Sequence, residues 1–321
     1  MTPPFDVIVL GDYCLDLIFT GLGEMPRLGK EVVASGFAMT PGGAYNTVAS
    51  LHRLGVRVGW PADFGEDDFS RFILEKARQE GLDDSLFTHY QRPLRYVTVA
   101  ASFPHDRAFI AYYDPSPPPR GAIRALASSM ARLVIVVGMY TGRLFGLGAR
   151  LARARGMKLA MDGNTSEEER LTSRKLRSVI RRLDVILPNA SEAREMTGEE
   201  DLEAAIRALA RLCPLVVVKD GRGGAYACER GGPIVHAPAL TLEPIDTTGA
   251  GDCFNAGFLR AWLDGRPLDE CLRWGNAVGG LSTLGMGGTG RVVTLEDVLR
   301  VVTAESAEIP EGFPRSRRSP R

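Results

Sequence analysis

The chain has 321 residues, 45% hydrophobic and 24% charged, with 39 Lys plus Arg against 39 Asp plus Glu. This length allows one large or two ordinary domains, and the composition excludes a disordered chain. The balanced charge lacks the basic excess of a general nucleic-acid binder, and apolar runs such as 133–137 are far too short to span a bilayer. In chain order, residues 5–10 form a short apolar run closed by Gly11 and read as a buried strand. Residues 32–39 are a second extended run, after which Pro41-Gly42-Gly43 breaks the chain. Residues 45–54 carry Val48, Leu51 and Leu54 at helical spacing, with Gly55 as a stop. Residues 69–79 read as a second amphipathic helix closed by Gly81. Residues 95–103 and 107–113 read as a hairpin around Pro104-His105-Asp106.

From Ala122 onward, helix-like arginine-rich stretches alternate with the apolar runs 133–137, 158–161, 185–187 and 215–219. Strands alternating with helices predict βαβ units, a parallel sheet and one doubly wound α/β domain. The extended pieces at about 12–40 and 92–113 are expected as a small β appendage. The arginines of 143–182 are offset by Glu167-Glu168-Glu169 and read as a solvated outer face. The proline- and arginine-rich segment 306–321 reads as a flexible basic tail. The first six residues show no basic region ahead of an apolar core, so no secretory leader is expected. Five scattered cysteines (Cys14, Cys213, Cys228, Cys253, Cys271) with no Cys-x-x-Cys pair argue against a zinc site or disulfide framework and for a reducing, cytoplasmic setting.

The chemistry concentrates in residues 246–258, Asp-Thr-Thr-Gly-Ala-Gly-Asp-Cys-Phe-Asn-Ala-Gly-Phe. A small-residue loop, Gly249-Ala250-Gly251, runs directly into a helix carrying Phe254, Phe258, Ala261 and Trp262 on one stripe. The first N–H groups of a helix lack internal partners and its dipole is positive there, so this is an anion site. Asp252 stands inside it. A carboxylate there can take the proton of a hydroxyl attacking phosphorus while the N–H groups stabilise the transferring charge. Helix capping alone accounts for an Asp at this position but not for the loop before it.

The segment Asp246-Thr-Thr-Gly-Ala-Gly-Asp252-x-Phe-x-Ala-Gly closely resembles the C-terminal signature of the ribokinase-like (PfkB) carbohydrate kinases, and Pro41-Gly-Gly-Ala-Tyr-Asn46…Leu54-Gly55 resembles their N-terminal signature. The resemblance runs to about Gly290. It implies a three-layer α/β/α sandwich with a mostly parallel central sheet and a small β-sheet lid, in one kinase domain over 1–305. It implies sugar hydroxyls held by Asp16, Gly43 and Asn46, with Asp252 as catalytic base and Gly249, Ala250 and Gly251 as anion hole. Asn189 and Glu192 resemble the family's Asn-x-x-Glu segment, which organises Mg²⁺ through water. Lys219, Gly221 and Gly224 resemble the strand and glycine turn that carry ATP, joined by Asn276. Asp246 and Thr248 resemble the loop that binds a monovalent cation, K⁺, in many members, although Gly285-Met-Gly-Gly-Thr-Gly290 departs from the usual pattern. Lids in relatives often pair across a homodimer.

The expected activity is ATP-dependent phosphorylation of a primary hydroxyl of a sugar. A nucleoside kinase of the same family is the alternative, and Tyr45, Phe103, Phe109 and Tyr112 suit either a sugar edge or a base. A sugar-binding regulator without turnover is a second alternative, against which Asp252, Asn189 and Glu192 argue. The match of Gly285-x-Gly287-x-x-Gly290 to the dinucleotide fingerprint is a false positive, since it follows a helix-like segment near the chain's end. There is no P-loop motif, no Gly-x-Ser-x-Gly and no His-Glu-x-x-His. No nucleic-acid or membrane partner is expected. His105, at the hairpin tip, reads as an exposed turn residue.

Overall fold

The computed structural model describes residues 4–103, 107–164 and 170–307. The hairpin tip with His105, the acidic run 167–169 and the tail from 308 onward lie outside the described residues. In chain order the strands are β1 (Val7–Leu10), β2 (Tyr13–Thr20), β3 (Gly36–Gly43), β4 (Val58–Gly59), β5 (Asp63–Phe64), β6 (Thr88–His89), β7 (Tyr96–Ser102), β8 (Arg107–Tyr113), β9 (Leu133–Val136), β10 (Lys158–Asp162), β11 (Val185–Leu187), β12 (Leu215–Lys219), β13 (Ala225–Glu229) and β14 (Ile234–Ala237). The helices are α1 (Ala44–Arg53), α2 (Asp68–Glu80), α3 (Arg120–Ser128), α4 (Phe145–Ala154), α5 (Arg174–Ile180), α6 (Ala190–Thr197), α7 (Leu202–Ala210), α8 (Ala250–Leu263), α9 (Leu268–Ser282) and α10 (Leu295–Ala307).

The main sheet has the order β14-β13-β12-β11-β10-β9-β1-β4. Its pairs from β12 through β4 are parallel, whereas β13 and β14 are antiparallel. Fully parallel strands must be covered on both faces, and the buried side chains divide accordingly. Val7, Val9, Leu133, Ile135, Ala160, Val185, Leu187, Leu215 and Val217 pack with α1, α8 and α9 in one core. Ile8, Val134, Leu159, Met161, Ile186, Val216 and Val218 pack with α4 to α7 in the other. The period-2 split across one sheet makes three layers. Among the described residues no helix is long and apolar enough to cross a membrane.

A second sheet, β3-β2-β7-β8, stands apart from the first. Its register sets Thr40, Asp16, Thr98 and Ala111 side by side on one face and Met39, Leu17, Val99 and Ile110 on the other. The strand expected at 32–39 is displaced to Gly36–Gly43, so Pro41-Gly42-Gly43 belongs to the strand and does not break it. The reason is position: β3 is an edge strand, where a residue without an N–H is tolerated. The strand then runs straight into α1. Gly43 takes φ +62°, and a Cβ there would lie 2.6 Å from the Asp12 carbonyl oxygen, so the junction requires glycine.

Candidate active site

Three adjacent strands set the floor of the site. The residues continuing the α8-facing parity of β10, β11 and β12 are Asp162, Asn189 and Lys219, and a parallel bridge joins Asn189 to Lys219. The C-terminal ends of strands in an open α/β sheet face ligands. Opposite them lies the N-terminus of α8. Its position is set by close packing on α9, where a Cβ on Gly279 would meet the Ala250 carbonyl oxygen at 2.9 Å and one on Gly257 would meet that of Trp274 at 2.6 Å.

Between these walls runs a cleft of about 620 Å³. It is lined by Asn189, Glu192, Lys219, Gly221, Gly224, Gly249, Ala250, Gly251, Asp252 and Asn276, bringing together most of the residues singled out by sequence. Gly249 caps α8 with φ +70°, and a Cβ on it would come within 2.6 Å of Asn46 Nδ2. The Ala250 N–H closes a turn onto the Thr247 carbonyl (3.3 Å). The next N–H groups, of Gly251 and Asp252, have no carbonyl inside the helix to bond.

Asn46, in the first turn of α1, crosses to this point. Its Nδ2 donates to Asp252 Oδ2 at 3.1 Å. Burial is the main cause that raises the Asp252 pKa above the ordinary carboxylate range, and the Asp162 charge adds to it; Asn46 and Lys219 oppose both. Asp16, on β2, is pushed up to about 6, chiefly by burial and then by the charge of Asp246. Gly42 makes room for its carboxylate, since a Cβ there would lie 2.0 Å from Asp16 Oδ2. Two buried polar atoms nearby, Asn46 Oδ1 and Thr40 Oγ1, find no hydrogen-bond partner among the described residues. A Cβ on Gly287 would touch Thr40 Oγ1, and one on Gly288 would touch Asn46 Oδ1, so the glycine loop 285–290 closes this corner.

Asn189 and Glu192 form a reciprocal capping box. Asn189 Oδ1 accepts from the Glu192 N–H and Glu192 Oε2 from the Asn189 N–H, both at 2.8 Å. Burial raises the Glu192 pKa, as does Asp162, while Lys219 lowers it. One carboxylate oxygen thus holds the helix start, and the group still lines the cleft. Asp246 accepts from the Thr248 N–H (2.9 Å), the Thr248 hydroxyl (2.7 Å) and the Gly287 N–H (2.8 Å), tying the 246–248 segment to the glycine loop. Asn276 lines the cleft and is also tied to the neighbouring chain. Its Nδ2 donates to the carbonyls of Ala237 (3.1 Å) and Pro238 (2.8 Å), clamping the strand that leads to the apolar wall of Ala239, Leu240 and Leu242.

Sequence reasoning missed four residues here. Asp162 and Asn164 line the cleft, and their place just after the run 158–161 was the available signal. Asn255 accepts from Lys219 Nζ at 3.2 Å. Arg53 pairs with Glu80 at 2.7 Å and donates to the carbonyls of Thr289 and Arg291, fastening the glycine loop to α1; nothing local in the sequence signals that long-range contact.

The model of the pfkB family carbohydrate kinases matches residues 5–294. The chain is 25% identical over 303 residues to a ribokinase of Haemophilus influenzae, covering 91% of this chain and 96% of that one. It is 37% identical over 131 residues to a cytidine kinase of Thermococcus kodakarensis, a match spanning 39% of this chain and 46% of that protein. The solved Arabidopsis thaliana ribokinase, complexed with ribose and ATP, superposes with a TM-score of 0.76 at 19% identity over 94% of this chain and 99% of that one. With a fold, a cleft and a family match that agree over nearly its whole length, the chain belongs to the pfkB family of carbohydrate kinases and is an ATP-dependent kinase.

Proposed function

We propose that the chain transfers the γ-phosphoryl group of ATP to a primary hydroxyl of a sugar, with Asp252 as base and the 249–251 loop as anion hole. The observation that carries this reading is the meeting of Asn46 with Asp252 at the N-terminus of α8. An acceptor hydroxyl set there gives its proton to Asp252 as its oxygen bonds the γ-phosphorus, and N–H groups at the helix start stabilise the transferring charge. The Asn46 amide, with the Asp16 carboxylate and the backbone at Gly43, suits a ligand rich in hydroxyls. The small sheet, with its Asp16–Thr40–Thr98 face, acts as the lid over that ligand.

The apolar wall 239–244 and the turn at Gly221 and Gly224 suit adenine and ribose, with Asn276 shaping the wall. Asn189 and Glu192 would organise Mg²⁺ through water. When bound with ATP, this ion neutralises phosphate charge. Asp246 and Thr248 would border a monovalent-cation site, which replacement of K⁺ by tetramethylammonium tests. The lid's apolar face supports a homodimer.

The test is ATP consumption over pentoses, hexoses, ketoses and nucleosides, with the phosphorylated position read by ³¹P NMR. Acceptor-dependent phosphorylation of a primary hydroxyl is expected, and silence across all four classes would sink the reading. A nucleoside acceptor is the second reading, favoured by the identity to the Thermococcus cytidine kinase; preference for a nucleoside over the free pentose in the same screen would establish it.

A further inference from the structure

Lys219 ends β12 and precedes the Gly221–Gly223 turn, yet its side chain is directed to the other wall of the cleft. Nζ is 2.7 Å from Asp162 Oδ1 and 3.2 Å from Asn255 Oδ1, and a Cβ on Gly251 would lie 3.7 Å from it. We propose that Lys219 is a catalytic residue of the phosphoryl transfer: its ammonium, steadied by Asp162 and Asn255, holds the γ-phosphoryl group against Gly251 and carries part of its charge as the bond to the β-phosphate breaks. This rests on the kinase reading above. In the step, the acceptor oxygen bonds phosphorus, the γ-phosphorus–bridging-oxygen bond breaks, Asp252 takes the hydroxyl proton and ADP leaves with the bonding pair.

Three observations carry it. An ammonium has three donors; two are engaged by Asp162 and Asn255, and Lys219 remains part of the cleft wall, so the third serves a ligand there. Asn255 turns its oxygen to Lys219 while its own Nδ2 is buried with no partner among the described residues, so the amide serves to place the ammonium. Lys219 also favours the charged form of both Asp252 and Glu192, so its charge is felt by both carboxylates. Asp162, Asp252 and Glu192 otherwise make this end of the cleft negative, where a phosphate chain must sit. A lysine that only neutralised Asp162 would need neither Asn255 nor a place on the cleft wall.

The experiment compares wild type, Lys219→Met and Lys219→Arg for kcat, acceptor KM, and calorimetric binding of adenosine, ADP and the non-hydrolysable analogue AMPPNP with Mg²⁺. Lys219→Met should lose about 10²–10³-fold in kcat, the scale of one preorganised charge stabiliser. It should lose its preference for AMPPNP over ADP and keep adenosine affinity and acceptor KM. Lys219→Arg should recover part of kcat, because it restores the charge. If Lys219→Met does not fold with Asp162 left unpaired, the same quantities are read for D162N/K219M against D162N. A kcat within about threefold of the reference, or adenosine affinity lost together with AMPPNP affinity, overturns the proposal. A wild type that phosphorylates no acceptor overturns the kinase reading and this proposal with it, whereas an active wild type with an indifferent Lys219→Met overturns this proposal alone.

Discussion

Asp252 binds its proton more tightly in the folded chain than an exposed carboxylate does, because burial and Asp162 outweigh Asn46 and Lys219. The sign for stability follows. A group whose folded pKa is raised contributes progressively less stability as pH climbs from the unfolded value through the folded one. Asp252→Asn removes that loss. The variant should therefore melt at a higher temperature than wild type at pH 8, with the gap closing toward pH 4. Its turnover should fall by roughly 10²–10⁴-fold, the usual weight of a general base. Gly249 is the cap of α8 and Asp252 lies in its first turn; were Asp252 only a first-turn residue, Asn would serve nearly as well and turnover would persist. Paired measurements of kcat and thermal melting across pH separate the two. Asp16, raised to about 6 by burial, should behave alike in stability but show its functional cost as weaker acceptor binding.

The capping box at the start of α6 explains why Glu192 can be read in two ways from sequence. Its Oε2 closes the box on the Asn189 N–H, so the first-turn Glu is structurally justified whether or not a metal is used. Glu192→Gln keeps an acceptor for the box and removes one negative charge from the cleft. The expected result is a higher Mg²⁺ requirement with acceptor affinity little changed, read from kcat against Mg²⁺ titration and acceptor KM; an unchanged Mg²⁺ curve would assign Glu192 to capping alone. The helix α8 was legible because its glycine loop, Asp252 and apolar stripe are contiguous. The strand β3 was placed four residues early because Pro41 reads locally as a breaker, and only its edge position relieves that. The antiparallel pair β13–β14 lies past a glycine turn, where short runs carry no long-range information. Arg53 and Asn255 act through partners 27 or more residues away, and no local pattern encodes such contacts.

At the scale of the molecule, the two faces of the small sheet differ at their central rung. One carries Asp16, Thr40 and Thr98, and the other carries Leu17, Met39, Val99 and Ile110. Ile110 is 73% and Phe37 60% exposed, side chains that a solitary surface sheet would not favour. If this face joins two copies, Ile110→Glu should convert a dimer to a monomer in sedimentation velocity and raise acceptor KM by loosening the lid. A wild-type monomer at micromolar concentration would remove the homodimer from the account. The α/β/α layering was readable from the alternation of strands and helices. The alignment of Asp16, Thr40 and Thr98 on one face of the small sheet depends on register, which emerges only when β2, β3, β7 and β8 are paired.

The direct passage of β3 into α1 through Gly43 joins the small sheet to Asp252 as by one crank. The crank arm is α1, its pin is Asn46, and the pin bears on Asp252. α1 packs with α8 in one core, so arm and pin stay with the main body while the sheet hangs from the Gly43 junction. The Asn46 bond favours the charged form of Asp252, so the small sheet is tethered by a few residues of chain to the side chain that tunes this carboxylate.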